Sequence, residues 1–221
     1  MLASAGMPVS REILGTFGEV DIYLFDQLLK GRFDSARRVL DAGCGEGRNL
    51  VYLLRQGYEC FGIDRAPGAI DDIRALAAAA APQLPADNFV VGDVDALPWS
   101  SASMDAIICS AVLHFARDEA HFDDMMREMW RVLTPGGVFF ARLASTIGIE
   151  ELVQPLEAGS GSLQSLARRR VRVPDGSVRF VVDEEMLVEY ASRLGGVLLD
   201  PIKTTIVQQQ RSMTTWTLRK S

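Results

Sequence analysis

At 221 residues, with 48% hydrophobic and 24% charged side chains, the chain holds enough material for one fully packed α/β domain and has an ordinary globular composition. A net charge of −6 argues against a sequence-independent grip on DNA or RNA, which needs a basic surface. No apolar run suffices to cross a bilayer, the opening Met1–Pro8 lacks a secretory pattern, and Cys44, Cys60 and Cys109 have neither disulfide nor zinc spacing, so a cytoplasmic protein without membrane or metal sites is expected.

Residues 1–36 read as an N-terminal cap, with the aromatic and acidic stretch Phe17–Asp26 inside it. Val39–Asp41 predicts a strand, Glu46–Gln56 a helix and Glu59–Asp64 a second strand. Ala66–Ala81 predicts a helix of high propensity, closed by Pro82. Phe89–Gly92 and Met104–Ser110 read as strands, the latter with an apolar centre suited to a buried parallel position. Phe122–Leu133 repeats apolar residues at helical spacing, so its Met and Trp residues belong to the core, and Val138–Ala144 completes the parallel set.

After Ala144 the rhythm changes. Residues 145–182 read as an insertion or lid with Gly148, Gly159, Gly161 and Arg168-Arg169-Arg170, followed by a hairpin, Val171–Phe180, around Pro174-Asp175-Gly176. Those arginines form either a solvated face or a surface for an anionic substrate or partner. Glu184–Leu194 predicts a helix, and Val197–Gln208 with Thr214–Arg219 an antiparallel pair. The alternation implies a single α/β domain over 1–221, doubly wound around a mostly parallel seven-stranded sheet.

The most informative stretch is Val39-Leu40-Asp41-Ala42-Gly43-Cys44-Gly45-Glu46-Gly47, a strand breaking into a glycine turn ahead of a helix. Such a turn lets bare backbone approach a nucleotide-like ligand. Asp64, about 20 residues on, stands where an acid commonly receives a ribose hydroxyl pair. A dinucleotide would bring a pyrophosphate that Asp41 repels, and a P-loop would need Lys then Ser or Thr where Arg48-Asn49 stand. S-adenosylmethionine carries a sulfonium and an ammonium, and no phosphate, so an acid near the turn suits it.

Leu40–Asn49 resembles the first motif of class I S-adenosylmethionine-dependent methyltransferases, and is especially similar to the small bacterial group related to tellurite-resistance and thiopurine methyltransferases. Gly62-Ile63-Asp64, Val91-Gly92-Asp93-Val94, Met104–Ser110 and Leu133–Phe140 keep the family order, so the resemblance covers roughly Arg37 to Leu143. It implies the Rossmann-like methyltransferase fold with two antiparallel closing strands, an enzyme, and S-adenosylmethionine as cofactor. Asp64 then meets the ribose diol; Asp93 either meets the adenine amino group, with Val94 beside the ring, or caps a turn. Gly43, Cys44 and Gly45 approach the methionine part, while Asp41 orients that loop or receives the ammonium. Arg48, next to Asn49, faces either the methionine carboxylate or solvent. Arg65, Ser110 and Tyr23 complete the expected cofactor set.

His114 follows the fourth strand, where this fold places groups beside the transferring methyl. It is either a general base or a packed imidazole. The loop lacks the Asn-Pro-Pro-aromatic signature of amino-methylating nucleic-acid enzymes and the acids of Mg²⁺-dependent ones. A small-molecule acceptor is therefore expected, with a non-catalytic cofactor-binding protein, or an enzyme acting on protein or RNA, as the alternatives. Phe17–Asp26 and Ile147–Phe180, outside the parallel sheet, are expected to roof the acceptor pocket. Neither the acceptor atom nor the oligomeric state has a signature.

Overall fold

Alternating apolar segments separated by glycine turns fold into a sheet covered on both faces. The computed structural model describes residues 9–156 and 169–221; Met1–Pro8, Gly159, Gly161 and Arg168 lie outside them. Two helices, α1 (Val9–Phe17) and α2 (Ile22–Leu29), precede β1 (Arg38–Ala42). Next come α3 (Val51–Arg55), β2 (Glu59–Asp64), α4 (Pro67–Ala80), β3 (Phe89–Val91), β4 (Met104–Ser110), α5 (Glu119–Val132) and β5 (Leu133–Ala144). The chain closes with β6 (Gln154–Pro155), β7 (Arg170–Arg172), β8 (Val178–Phe180), α6 (Glu184–Arg193), β9 (Gly196–Leu198), β10 (Lys203–Val207) and β11 (Arg211–Lys220).

The main sheet runs β3-β2-β1-β4-β5-β11-β10, with β9 also on β11. Strands β1 to β5 are mutually parallel, whereas β11 is antiparallel to β5, β9 and β10. Strand order reverses between β1 and β4, and a crevice opens beyond their carboxyl ends at such a switch point. Period-two alternation builds a core on each face. Along β4, Ile107 and Cys109 join Phe122, Met129 and Leu187 of α5 and α6, while Ala106 and Ile108 join Leu53, Ile70 and Ile73 of α3 and α4. All three cysteines are buried and unpaired. Among the described residues no helix is long and apolar enough to cross a membrane.

Three expectations about elements need correction. The helix expected from Glu46 begins only at Val51, because Gly47 takes φ +84° and a Cβ there would overlap Ile73. Val197–Gln208 splits into β9 and β10, and β9 pairs with β11 beside the expected seven-strand path. Pro201 lies in the break, and a residue without an N–H cannot continue a ladder. The insertion also contributes β6, which its sequence did not announce. With β7 and β8 it forms a small antiparallel sheet whose Val171, together with Val173 just beyond β7, packs with Ala144 of β5.

Candidate active site

The glycine turn follows β1 and hangs on its neighbour: the amides of Gly43 and Cys44 both donate to the Ile63 carbonyl of β2. Gly43 has φ +82°, and the Val112 side chain presses where its Cβ would be, so no other residue fits without displacement. At the end of β2, Asp64 is locked from both sides. Its Oδ2 accepts from the Gly45 amide and its Oδ1 from the Ala66 amide, each at 3.0 Å. Each carboxylate oxygen keeps a lone pair for a further donor.

Beyond these strand ends lies a cleft of about 340 Å³. Seven of the expected cofactor residues line it: Gly43, Gly45, Asp64, Arg65, Asp93, Val94 and Ser110. The Asp93 carbonyl, rather than its side chain, accepts the Ala96 amide, and among the described residues its carboxylate lies 3.5 Å from the Arg65 guanidinium, both exposed at the mouth. Ala111, Val112, Phe115, His121 and Met125 complete the wall. Met125, expected in the core, is buried in α5 and also borders the cleft. His121 accepts the Arg117 amide on Nδ1, so its Nε2 carries the hydrogen facing Asp95 at 3.1 Å.

Tyr23, Asp41, Cys44, Arg48 and Asn49 do not line the cleft. Cys44 turns inward against Gly62. Arg48 is not at a helix start, since α3 begins later, and its guanidinium lies 3.9 Å from Asp21. Asn49 is buried and accepts the Asp21 amide on Oδ1. Tyr23, on α2, hydrogen-bonds Thr205 of β10 through its hydroxyl, and its ring lies 4.9 Å below the Arg142 guanidinium. Asp41 is fully buried under the turn, and neither carboxylate oxygen has a hydrogen-bond partner among the described residues. Asn49 stands close by, outside hydrogen-bond geometry. Burial pushes the Asp41 carboxyl up to about 8, against the pull of Arg48.

Asp21, within the Phe17–Asp26 stretch expected to roof the pocket, is buried and joins these parts. It caps α2 by accepting the Tyr23 amide, while its Oδ2 accepts from Ser110 at 3.0 Å and from Arg142 at 3.2 Å. One buried carboxylate thereby ties the N-terminal helix to the carboxyl ends of β4 and β5. The available signals were local: an acid just before the apolar run Ile22–Phe25 is an N-cap pattern, and Arg142 is a lone cation inside an apolar strand that needs a partner.

Ala111, next after β4, takes φ +64°, a left-handed conformation unusual for alanine, and its amide donates to the Arg142 carbonyl at 2.7 Å. It borders the cleft and also a second cavity of about 280 Å³. His114 lines that second cavity and not the cofactor cleft. It is 7% exposed, its Nδ1 has no partner, and its ring packs edge-on against Phe115. Burial, with Arg179 and Arg142 adding positive charge, lowers its pKa to about 4, so the imidazole is neutral near pH 7. The insertion hairpin supplies Val173, Asp175, Ser177 and Arg179 to this cavity, and the β10–β11 hairpin supplies Val207 and Arg211.

Residues 40–141 match a protein family described as a methyltransferase domain. The chain is 31% identical over 121 residues to a malonyl-[acyl-carrier protein] O-methyltransferase of Enterobacter lignolyticus (strain SCF1), a match covering 55% of this chain and 44% of the relative. It thus spans less than half the length of that relative. The fold is shared with the PH0226 protein of Pyrococcus horikoshii OT3, at TM-score 0.66 and 19% identity, over 98% of this chain and 100% of that one. It is shared too with the Burkholderia thailandensis 1,6-didemethyltoxoflavin-N1-methyltransferase, at TM-score 0.64 and 19% identity, over 96% of this chain and 83% of the other. Residues 40–141 thus resemble a methyltransferase domain, and the chain as a whole shares its fold with these solved structures.

Proposed function

We propose that the protein is an S-adenosylmethionine-dependent methyltransferase that transfers a methyl group to a small-molecule acceptor in the cytoplasm. The observation that carries this reading is the pairing of a locked acid with an orphaned one across the glycine turn. Asp64, held by two backbone amides, keeps lone pairs for two ribose hydroxyl donors. Asp41 beneath the turn is a buried carboxyl without a partner, neutral near pH 7 in the unliganded protein; a cationic group bound over the turn would favour its ionised form, and a phosphate would not. Bound there, the cofactor would supply a methyl carbon already activated by its sulfonium.

What remains for the protein is positioning, and that can supply several kcal/mol of a displacement barrier. Asp21 holds Ser110 and Arg142 where the cleft meets the second cavity. Tyr23, through Thr205 and Arg142, anchors α2 beside the same junction and supports a role for the N-terminal segment as part of the roof. The His114 imidazole, neutral near pH 7, is available to accept a proton from an acceptor in the second cavity. A small-molecule acceptor is supported by the size of that cavity, and by the Burkholderia neighbour, which holds 1,6-didemethyltoxoflavin together with S-adenosylhomocysteine. Three buried, unpaired cysteines suit a reducing compartment.

Calorimetry with S-adenosylmethionine and with NAD tests the cofactor. Hydrogen bonds to a charged group contribute about 1.5–3 kcal/mol, so Asp64→Ala should weaken S-adenosylmethionine binding at least about tenfold. Micromolar NAD binding without S-adenosylmethionine binding would end the reading.

A further inference from the structure

The second cavity has a chemical character that the class of enzyme does not dictate. Its walls combine apolar side chains, Val173, Val207 and Met213 among them, with three guanidiniums, those of Arg142, Arg179 and Arg211. Arg142 is compensated by Asp21 at 3.2 Å. Asp175 is the carboxylate in the lining, and hydrogen bonds from the Ser177 hydroxyl and amide hold its pKa low. Arg179 rests over the Phe115 ring at 5.1 Å and gives one hydrogen bond to the Val178 carbonyl. Among the described residues neither Arg179 nor Arg211 has an ion-pair partner within 4.0 Å. With Arg142 offset by Asp21, Arg179 and Arg211 face the single carboxylate of Asp175, a net excess of one positive charge that a bound anion would neutralise.

Two further observations point to an occupant rather than to a solvated basic patch. The buried His114 ring lines the same cavity with its Nδ1 unpartnered, and a buried polar atom is rarely left so. Ala111 is held in strained backbone between this cavity and the cofactor cleft, so the two spaces meet at one residue. A volume of about 280 Å³ sits near the lower end of small-molecule sites, which run about 300–1,000 Å³. Resting on the methyltransferase reading, we propose that the acceptor is a small organic carboxylate. Arg179 and Arg211 hold its charged end, and its apolar body lies along Val173, Val207 and Met213 toward Ala111 and His114. The planar guanidinium fork matches a carboxylate in geometry as well as charge, and charge-assisted bonds are about twice as strong as neutral ones.

The test is calorimetry on the full chain saturated with S-adenosylhomocysteine. The ligands are benzoate, phenylacetate, cinnamate and hexanoate, each beside its neutral amide, with phenyl phosphate as a separate arm. At least one carboxylate should bind about tenfold or more tightly than its amide, a preference lost in Arg179→Gln/Arg211→Gln. S-adenosylhomocysteine affinity, measured first on every variant, should stay within about twofold of wild type and reports that the variants are folded. If no carboxylate outbinds its amide, or the double variant keeps the preference, the arginines are a solvated face and the proposal falls. A phosphate preference with no carboxylate preference overturns the assigned class as well. Carboxylate selectivity without any S-adenosylhomocysteine binding would leave the anion site standing and remove the methyltransferase reading instead.

Discussion

Gly43, Gly45 and Gly47 carry the left-handed backbone around the cofactor cleft, whereas Ala111, Gln208 and Gln209 carry it around the second cavity. The first region is shaped by main chain: amides on Asp64, amides on the Ile63 carbonyl, and a turn with room for a ligand. The second is shaped by side chains brought together from the ends of β4 and β5, the insertion hairpin and the β10–β11 hairpin. A backbone site needs residues a few positions apart, so it is written as a short motif. A side-chain site assembled from distant segments leaves no such mark, and it is free to differ between proteins sharing one fold.

The largest expected effect tests whether the second region takes part in the chemistry. If His114 accepts the acceptor's proton, His114→Ala should reduce turnover by about 10²–10⁴-fold while leaving S-adenosylmethionine affinity nearly unchanged. The unperturbed imidazole value of about 6.5 would place the rising limb of the kcat/KM profile near neutrality. Burial and the flanking Arg179 and Arg142 place it near 4 instead. A limb at about 6.5 that vanishes in the variant would show that the imidazole titrates as if exposed. An unchanged rate in His114→Ala would leave packing as its whole role.

The same contrast explains what was legible in advance. Asp64, Gly43, Gly45 and Ser110 fall at strand ends marked by an apolar run breaking into glycine or a polar residue, and all four line the cleft. Arg48 and Asn49 close the glycine motif, where a helix start would aim Arg48 at either the methionine carboxylate or solvent. Because Gly47 delays the helix, the turn carries them under α2, where they face Asp21. The Asp21–Ser110–Arg142 cluster joins residues up to 121 positions apart, and no local period reports that. β6 is two residues long and is defined only by its partner β7. Its pairing is tertiary information that no window of sequence contains.

A second effect, of intermediate size, belongs to the floor of the cofactor region. The Asp41 carboxyl moves from 3.8 to about 8 on burial, so the folded state keeps a proton that the unfolded chain has released. Its contribution is fully present below the unfolded value and is lost as pH rises toward about 8, by up to about 1.4 kcal/mol per pH unit. His114 has the opposite sign: with its pKa lowered from 6.5 to about 4, stability is lost as pH falls between them. The two oppose each other below 6.5, which leaves pH 6.5–8 as the window for Asp41 alone. Thermal unfolding across it should show declining stability in wild type and a flatter line in Asp41→Asn, which is neutral throughout. A wild-type line as flat as the variant's would mean that Asp41 is solvated in the unliganded protein.

The smallest effect concerns the tip that carries Val207 and Arg211 into the wall of the second cavity. Val207 to Gln210 close a turn with a 2.9 Å bond from the Gln210 amide to the Val207 carbonyl. Its two central residues, Gln208 and Gln209, lie at φ +48° and +57°, as a type I′ turn requires. Asn-Gly is the usual pair there, and glutamine pays a left-handed penalty of about 1–2 kcal/mol that glycine avoids. Glycine gives back about 0.5–1 kcal/mol through the greater freedom of its unfolded chain. Gln209→Gly should therefore stabilise the protein by up to about 1.5 kcal/mol, raising Tm by about 2–4 °C for each kcal/mol in a domain of this size. S-adenosylhomocysteine binding should not change, because the tip lies outside the cofactor cleft. A fall in Tm would show that the turn does not hold its left-handed pair in solution, and that the wall carrying Arg211 is not fixed by it.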